Sequence, residues 1–217
     1  MTSNDDELFV LLVRQHDSQV AVYSINNYQL LRHLNLPGLK PHVNNDMTSC
    51  VRHKCLYMSD FANRCIHRYD LTNSSACTTK GPVSTRRSKW QVPGKPIGLS
   101  LTLNCNLLVT CRGRRDKLVE LSVDSGLCVR EIALQSDIVN PWHGVQLTTG
   151  QFVVCHSQWD DNLHGVCVVG DDGKVTRSYG GQRGSDVGQL RCPCHLAVDK
   201  DSQFIFCLLY TSPSPRD

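Results

Sequence analysis

Two histidines stand at matched positions, each two residues after a proline. They lie in the stretches Pro141-Trp142-His143 and Pro193-Cys194-His195, so that 52 residues separate the two imidazoles. Imidazole nitrogen is a common ligand of zinc and other transition metals, and a fold that brings the two prolines together would allow a shared metal ion. The corresponding earlier positions are Gly98 and Thr48, which supply no third ligand. A histidine at a repeated position also packs or hydrogen-bonds to a turn, and the sequence favours that structural role, with no metal ion bound.

A basic cluster is the second candidate site. Arg112, Arg114, Arg115 and Lys117 follow one another closely, with Asp116 among them. Guanidinium groups bind phosphates and carboxylates through paired hydrogen bonds, so the cluster is suited to RNA or to an acidic peptide. No aromatic residue that could stack on a base is interleaved, which favours a protein contact over RNA. Solvated charge at a hairpin tip is the structural alternative.

Several classes of function have no support in the sequence. There is no G-x-S-x-G motif, no phosphate-binding glycine loop and no H-E-x-x-H motif. The 12 cysteines include no C-x-x-C pair and stand singly in apolar stretches, which predicts reduced, buried thiols and no structural zinc module. We therefore expect no cofactor, and we regard an enzymatic activity as the less favoured interpretation.

Charge and hydropathy restrict the partners. The formal net charge of +3 over 217 residues is too small to favour DNA or an anionic membrane. No apolar run approaches the roughly 18 residues of a membrane helix, and the start "MTSNDDELF" is acidic where a secretion signal would be basic. These features predict a cytoplasmic protein.

The elements that position the candidate sites are short strands. Pairs of apolar segments joined by a polar turn begin at Phe9, Leu56, Leu107 and Phe152, and a fifth begins at Phe204. Their starts are separated by 47, 51, 45 and 52 residues, and the proline anchors at Pro96, Pro141 and Pro193 share this period. A further apolar segment follows each pair, which gives about four strands in each unit.

Four antiparallel strands repeated every forty to fifty residues predict an all-β fold, a β-propeller with four-stranded blades. A β-sandwich is the main rival, but its strands do not normally recur at a long fixed period.

Arg86, Arg87 and Lys89 lie in a Ser/Thr-rich loop and are interpreted as solvated charges. The predicted parts are an N-terminal extension at 1–7, propeller units near 8–45, 46–95, 96–140, 141–192 and 193–206, and a surface loop at 72–89.

Two tryptophans flank the fourth hairpin, and Asp160 and Asp161 follow the second of them. Aromatic side chains in loops are frequent hot spots of protein recognition, so Trp142 and Trp159 are candidate ligand contacts. In the structural alternative, which is slightly preferred, Trp142 packs between blades and Trp159 caps a turn.

Two stretches resemble NHL repeats. "YMSDFANRCIHRYD" is similar to the repeat core, with Asp60, Asn63 and Arg64 at the turn, and "GGQRGSDVGQLRCPCHLAVD" resembles the linker into the next repeat. The third and fourth hairpins, "CRGRRDKLVEL" and "CHSQWDDNLHGVCVV", lack the Asn-Arg turn, so the resemblance is to a divergent propeller of about residues 8 to 206. We expect Arg64 to be buried or half-buried and to donate hydrogen bonds to turn carbonyls or to Asp60.

The resemblance implies a binding platform. Such propellers occur at the C-terminus of tripartite-motif-type proteins, after RING, B-box and coiled-coil modules, and hold a protein or RNA ligand. Some propeller lyases and lactonases instead hold a metal ion near the axis, which is the enzymatic alternative for His143 and His195. We therefore expect an interaction scaffold with a protein ligand first and RNA second.

The end of the chain departs from the repeat pattern. After Phe206 the residues "CLLYTSPSPRD", 207–217, resemble a translated sequencing adaptor, with a Ser/Pro-rich disordered tail as the alternative. The units before it amount to about four blades and the first strand of a fifth. We expect such an incomplete ring to expose sheet edges and apolar faces.

Overall fold

The computed structural model describes residues 1–4, 6–13, 18–36, 38–71, 87–158, 163–199, 201–202 and 204–209. These residues form antiparallel strands joined by turns, and no helix occurs among them. The described part of the chain accordingly has no helix of the length and apolar character needed to cross a membrane.

The described strands are, in chain order, β1 (Thr2–Ser3), β2 (Glu7–Val13), β3 (Ser18–Ser24), β4 (Leu30–Asn35), β5 (Met47–Cys50), β6 (Cys55–Asp60), β7 (Cys65–Asp70), β8 (Arg87–Gln91), β9 (Lys95–Leu101), β10 (Leu107–Arg112), β11 (Lys117–Leu121), β12 (Cys128–Ala133), β13 (Pro141–Gln146), β14 (Phe152–Ser157), β15 (His164–Val169), β16 (Val175–Gly180), β17 (Pro193–Val198) and β18 (Ile205–Leu209). They divide between two compact units, Met1–Leu99 and Ser100–Asp217, with the division inside β9.

The first unit contains two four-stranded sheets, in the orders β1-β2-β3-β4 and β5-β6-β7-β8. β1 lies in the stretch 1–7 that we expected to be an extension, and Thr2 pairs with Phe9 of β2. Alternate residues of the inner strands face a common apolar core, because successive side chains of a strand point to opposite faces. The core residues are Phe9, Val20, Val22, Leu34, Leu36, Leu39, Met47, Leu56, Met58, Tyr69 and Leu71.

The second unit contains β10, β11 and β12 with the end of β9, the sheet β13-β14-β15-β16 and the two-stranded sheet β17-β18. One core cluster consists of Leu108, Leu118, Ile132, Ile138, Phe152, Val154, Cys167 and Val169. A second contains Leu147, Val153, Cys155 and Leu196.

The second strands of two sheets are covered on both faces. Every residue of β6, "CLYMSD", and of β14, "FVVCHS", is buried, whereas the outer strand β16 is exposed along nearly its whole length. Polar residues in a strand of this kind lose their contact with water and need partners inside the protein. Asp60 at the end of β6 and His156 in β14 are therefore positions where a specific polar interaction is expected.

Two sequence boundaries differ from the structure. β8 begins at Arg87, so the last three residues of the predicted loop 72–89 belong to a strand, and 72–86 lie outside the described residues. β18 continues to Leu209, three residues past the boundary predicted at Phe206, because Cys207, Leu208 and Leu209 pair with β17. The strand leaves Phe206 60% and Leu208 64% exposed.

A glycine fixes one close approach in the second unit. Gly173, in the turn between β15 and β16, has a φ of +76°, which L side chains rarely adopt. A Cβ atom there would lie 1.8 Å from the carbonyl oxygen of Ala133 at the end of β12. The absence of a side chain allows this turn to contact the segment after β12.

Candidate functional site: a basic groove in the second unit

The tip of the β10–β11 hairpin carries the exposed part of the basic cluster. The turn 113–116 is held by the backbone N–H of Gly113, which donates to Oδ1 of Asp116 at 3.1 Å. Arg114 and Arg115 lie between these two residues and are both exposed. The turn thus presents two guanidinium groups to solvent.

These arginines line an open groove of about 480 Å³. One wall is the hairpin tip, and the other is the segment that follows β12. The lining residues are Gly113, Arg114, Arg115, Asp116, Ala133, Leu134, Gln135, Ser136, Ile138 and Val139.

Hydrogen bonds hold the second wall in place. The N–H of Leu134 donates to the carbonyl of Asp116 at 3.0 Å, which ties the wall to the hairpin. The N–H of Gln135 donates to the carbonyl of Gly173 at 3.2 Å, and its side-chain Oε1 accepts from the N–H of Val175 at 3.1 Å. The groove is therefore formed before a ligand arrives, which reduces the entropy that binding costs.

Arg112, at the base of the same hairpin, is occupied within the protein. Its Nε donates to the carbonyl of Pro141 and its Nη2 to the carbonyl of Asn140, both at 3.0 Å. Its guanidinium also lies over the ring of Trp142, with Cζ 4.2 Å from the ring centroid. Burial lowers the pKa of Arg112 to about 10. These contacts give Arg112 a structural role.

The remaining predicted ligand residues have different settings. Trp142 is half-buried, and its indole N–H donates to Oγ of Ser157 at 2.7 Å. Lys117 is paired with Glu131 at 2.7 Å on the neighbouring strand. Trp159 lies outside the described residues. Of the predicted set, the structure places Arg114 and Arg115 in the groove.

The Asp-Asn-Arg turn lies between β6 and β7. Asp60 accepts from the backbone N–H of Asn63 at 2.9 Å and from its side-chain Nδ2 at 2.8 Å. Arg64 is exposed, contrary to our expectation that it is buried or half-buried, and it occupies the turn with a φ of +52°. His67 contacts Asp60 instead, through Nε2 at 3.0 Å. Burial opposes ionisation of Asp60, but the bonds from His67 and Asn63 outweigh it and lower the pKa.

The two matched histidines come together in the second unit. The rings of His143 and His195 stack with centroids 3.9 Å apart and an angle of 24° between their planes. His143 is buried and His195 is half-buried. The predicted proximity of the two imidazoles is therefore present in the structure, and each ring offers one nitrogen within 4.8 Å of the other.

Two features of these sites were missed from the sequence. The segment 133–139 forms half of the groove, yet it carries no motif and is identified only by its contacts. Cys65 and His67 are buried beside Asp60, and their alternation along β7 was the available signal, because residues two apart in a strand share a face.

Solved structures with the same fold include the hydrazine synthase of Kuenenia stuttgartiensis, with a TM-score of 0.67 and 14% identity over 94% of this chain and 53% of the other. A candidate 6-phosphogluconolactonase from Bacteroides uniformis gives a TM-score of 0.61 and 11% identity over 95% and 62%. The Cps50 (Swd1) β-propeller domain of Myceliophteria thermophila gives 0.56 and 10% over 98% and 66%. No family model and no curated protein sequence matches the chain.

These likenesses define the fold class as a β-propeller with four-stranded antiparallel sheets, which confirms the sequence prediction. The chain spans about half the length of the hydrazine synthase and under two thirds of the candidate lactonase. At 10 to 14% identity the similarity extends to the fold alone. This fold is shared by proteins named as enzymes and by the Cps50 propeller domain, so it does not define a function.

Proposed function

We propose that the chain is an interaction scaffold that binds an acidic segment of a partner protein in the groove beside the β10–β11 hairpin. The observation that carries this proposal is the position of Arg114 and Arg115, two exposed guanidinium groups on the wall of a groove of about 480 Å³. The other wall is held by hydrogen bonds and includes the apolar residues Leu134 and Val139. It would contact the apolar parts of the side chains of a bound peptide.

The recognition chemistry follows from the guanidinium group. Its planar set of N–H donors matches the two oxygens of a carboxylate, so Asp or Glu side chains of a partner would bind in pairs of hydrogen bonds. The two arginines differ from Arg112 and Lys117, which have partners within the chain, in being available to an outside carboxylate.

A protein ligand is favoured over RNA by the composition of the groove. None of the described lining residues is aromatic, and base stacking on aromatic rings provides much of the affinity for single-stranded RNA. Phosphates would still be attracted to the arginines, so RNA is the second ligand to test.

The resemblance to NHL repeats supports the same proposal, because propellers of that kind serve as binding platforms for protein or RNA. We also propose that the protein acts in the cytoplasm. The fold itself does not decide between scaffold and enzyme, since the similar structures include both kinds.

A metal-dependent lyase or lactonase is the second candidate function. The stacked imidazoles of His143 and His195 favour it, because they bring two nitrogen donors within 4.8 Å. Zinc or calcium in equimolar amount, lost when His143 is replaced by alanine, would support this candidate over the scaffold.

The binding proposal is tested with a fluorescein-labelled peptide of ten glutamates and the full 217-residue chain. We expect saturable binding by fluorescence anisotropy and at least a tenfold loss of affinity in Arg114→Glu/Arg115→Glu. The matched control is Arg177→Glu/Arg191→Glu, which changes the net charge equally at two exposed arginines outside the groove.

Equal weakening by the two double variants would show attraction by net charge alone and would contradict the proposal. Ten-residue oligouridylate is titrated in parallel. Tighter binding of the oligouridylate, with the same dependence on Arg114 and Arg115, would assign the groove to RNA instead.

A further inference from the structure

We propose that Asp60, Cys65 and His67 form a binding site for one zinc ion in the first unit. All three side chains are buried, with relative exposures of 0%. One ligand atom from each, a carboxylate oxygen, the thiol sulfur and an imidazole nitrogen, lies within 4.8 Å of the others. This set shares no residue with the groove or with the pair of histidines in the second unit.

Strand pairing brings the three residues together. Asp60 is the last residue of β6 and lies directly opposite Cys65, the first residue of β7. His67 follows two residues later, so its side chain lies on the same face of the sheet as that of Cys65. A single hairpin therefore supplies all three of these protein ligands.

The separations of the ligand atoms agree with tetrahedral zinc. Bond lengths of about 2.1 Å to nitrogen or oxygen and about 2.3 Å to sulfur place the nitrogen and sulfur about 3.6 Å apart, and the nitrogen and oxygen about 3.4 Å apart. In the hairpin, Nε2 of His67 lies 3.6 Å from Sγ of Cys65 and 3.0 Å from Oδ2 of Asp60. Zinc would widen the shorter separation by a few tenths of an ångström.

The type and charge of the ligands favour zinc among biological metals. Sulfur and imidazole select against calcium and magnesium, which prefer sets of oxygen ligands. With Cys65 bound as the thiolate, it and the Asp60 carboxylate carry two negative charges, which balance a divalent cation in a buried site.

Asp60 is also oriented as metal-bound carboxylates usually are. Its Oδ1 accepts from the N–H of Asn63 at 2.9 Å, and its Oδ2 accepts from Nδ2 of Asn63 at 2.8 Å and from the N–H of Lys40 at 3.4 Å. Hydrogen bonds of this kind fix a ligand before the metal binds and raise its affinity. Because the site is fully buried, we infer that the zinc stabilises the fold of the first unit.

The experiment measures the metal content of the full chain, purified without chelator, by inductively coupled plasma mass spectrometry. We expect one zinc per chain, and its loss in Cys65→Ser and in His67→Gln. Cys111→Ser is the matched control, because Cys111 is also a buried strand cysteine but lies outside the cluster. Retention of zinc in this control shows that the loss is specific to the site.

A measurement on the unmodified sequence covers the case in which the variants fail to fold. Zinc is removed with a chelator and replaced by Co²⁺, whose visible spectrum reports tetrahedral geometry and whose near-ultraviolet charge-transfer band reports a thiolate ligand. We expect both signals at one equivalent of cobalt.

Three results would overturn the proposal: no bound zinc together with no cobalt–thiolate band, zinc retained in folded Cys65→Ser, or zinc lost in His143→Ala but kept in Cys65→Ser. The last result would assign the metal to the paired histidines. None of these outcomes depends on peptide binding, so the zinc site and the scaffold function are tested separately.

Discussion

The guanidinium of Arg112 lies over the indole of Trp142, 4.2 Å from the ring centroid, and donates to the carbonyl of the adjacent Pro141. Both residues are candidates for ligand binding from the sequence, yet in the structure they bind each other. The contact ties the end of β10 to the start of β13, where the proline anchor lies. The contact between Arg112 and Trp142 therefore stabilises the packing of these two strands.

Replacement of Arg112 by lysine should lower the free energy of unfolding by about 1–3 kcal/mol, because the compact ammonium lacks the planar fork of donors that reaches both carbonyls while lying over the indole. Urea denaturation followed by tryptophan fluorescence measures the change. Arg114→Lys, at the exposed hairpin tip, serves as the control and should change the stability little. Equal effects of the two substitutions would contradict the structural role of Arg112.

Gly173→Ala should be strongly destabilising, by at least about 2 kcal/mol, because it combines an unfavourable φ with a clash against the carbonyl of Ala133. Gly150 provides the matched control. Its φ is +87°, but a Cβ there would meet nothing within 4 Å, so Gly150→Ala should cost only about 1 kcal/mol. Thermal or urea denaturation measures the stability of the two variants. Gly150→Ala reports backbone strain alone, and Gly173→Ala reports strain together with the steric clash. A larger loss of stability in Gly150→Ala than in Gly173→Ala would contradict the close contact between Gly173 and Ala133.

Stability should fall on acidification, in part because of His156. Burial lowers its pKa below the ordinary value of 6.5, an effect strengthened by His164 and opposed by Asp137. His156 therefore binds a proton at a higher pH in the unfolded chain than in the native protein. As the pH falls from 6.5 to the native pKa, the stability that the neutral His156 contributes to the fold is lost.

His156→Gln removes this titration. The difference in the free energy of unfolding between pH 7 and pH 5, from urea denaturation, should be smaller in the variant than in the unmodified chain. An identical pH dependence in the two proteins would show that the imidazole of His156 is not neutral and buried in the native state.

Alkylation should distinguish the cysteines by burial. Cys128 is exposed on β12, whereas Cys111 is buried on β10, and burial raises the pKa of the Cys111 thiol to about 12. Because the thiolate is the reactive form, iodoacetamide should modify Cys128 much faster than Cys111 at pH 8. Peptide mass spectrometry gives the two rates, and comparable rates in the native protein would contradict the burial of β10.

The sequence was sufficient to predict the fold class, because strand periodicity depends on local patterns and on the spacing of repeated units. The meeting of His143 and His195 was also accessible, since both follow a proline at the same position in the repeat. Equivalent positions of neighbouring repeats lie close together in the folded protein, although they are far apart in the sequence. The contact of this pair could therefore be anticipated.

The individual contacts were less accessible. Arg64 and Arg112 are both arginines at hairpins, but Arg64 is exposed while Arg112 lies over an indole that its own hairpin does not supply. The groove likewise needs the segment 133–139, which has no distinctive sequence. Such contacts depend on tertiary packing between strands that are distant in sequence, and composition does not encode them.

The most direct test of the scaffold account is to map where an acidic peptide binds. Backbone amide chemical shifts of the isotope-labelled chain are followed by nuclear magnetic resonance during titration with the ten-glutamate peptide. We predict that the largest shifts occur at residues 113–116 and 133–139, on both walls of the groove. Shifts concentrated at the exposed outer strand β16, or spread evenly over the surface arginines, would contradict the assignment of this groove as the binding site.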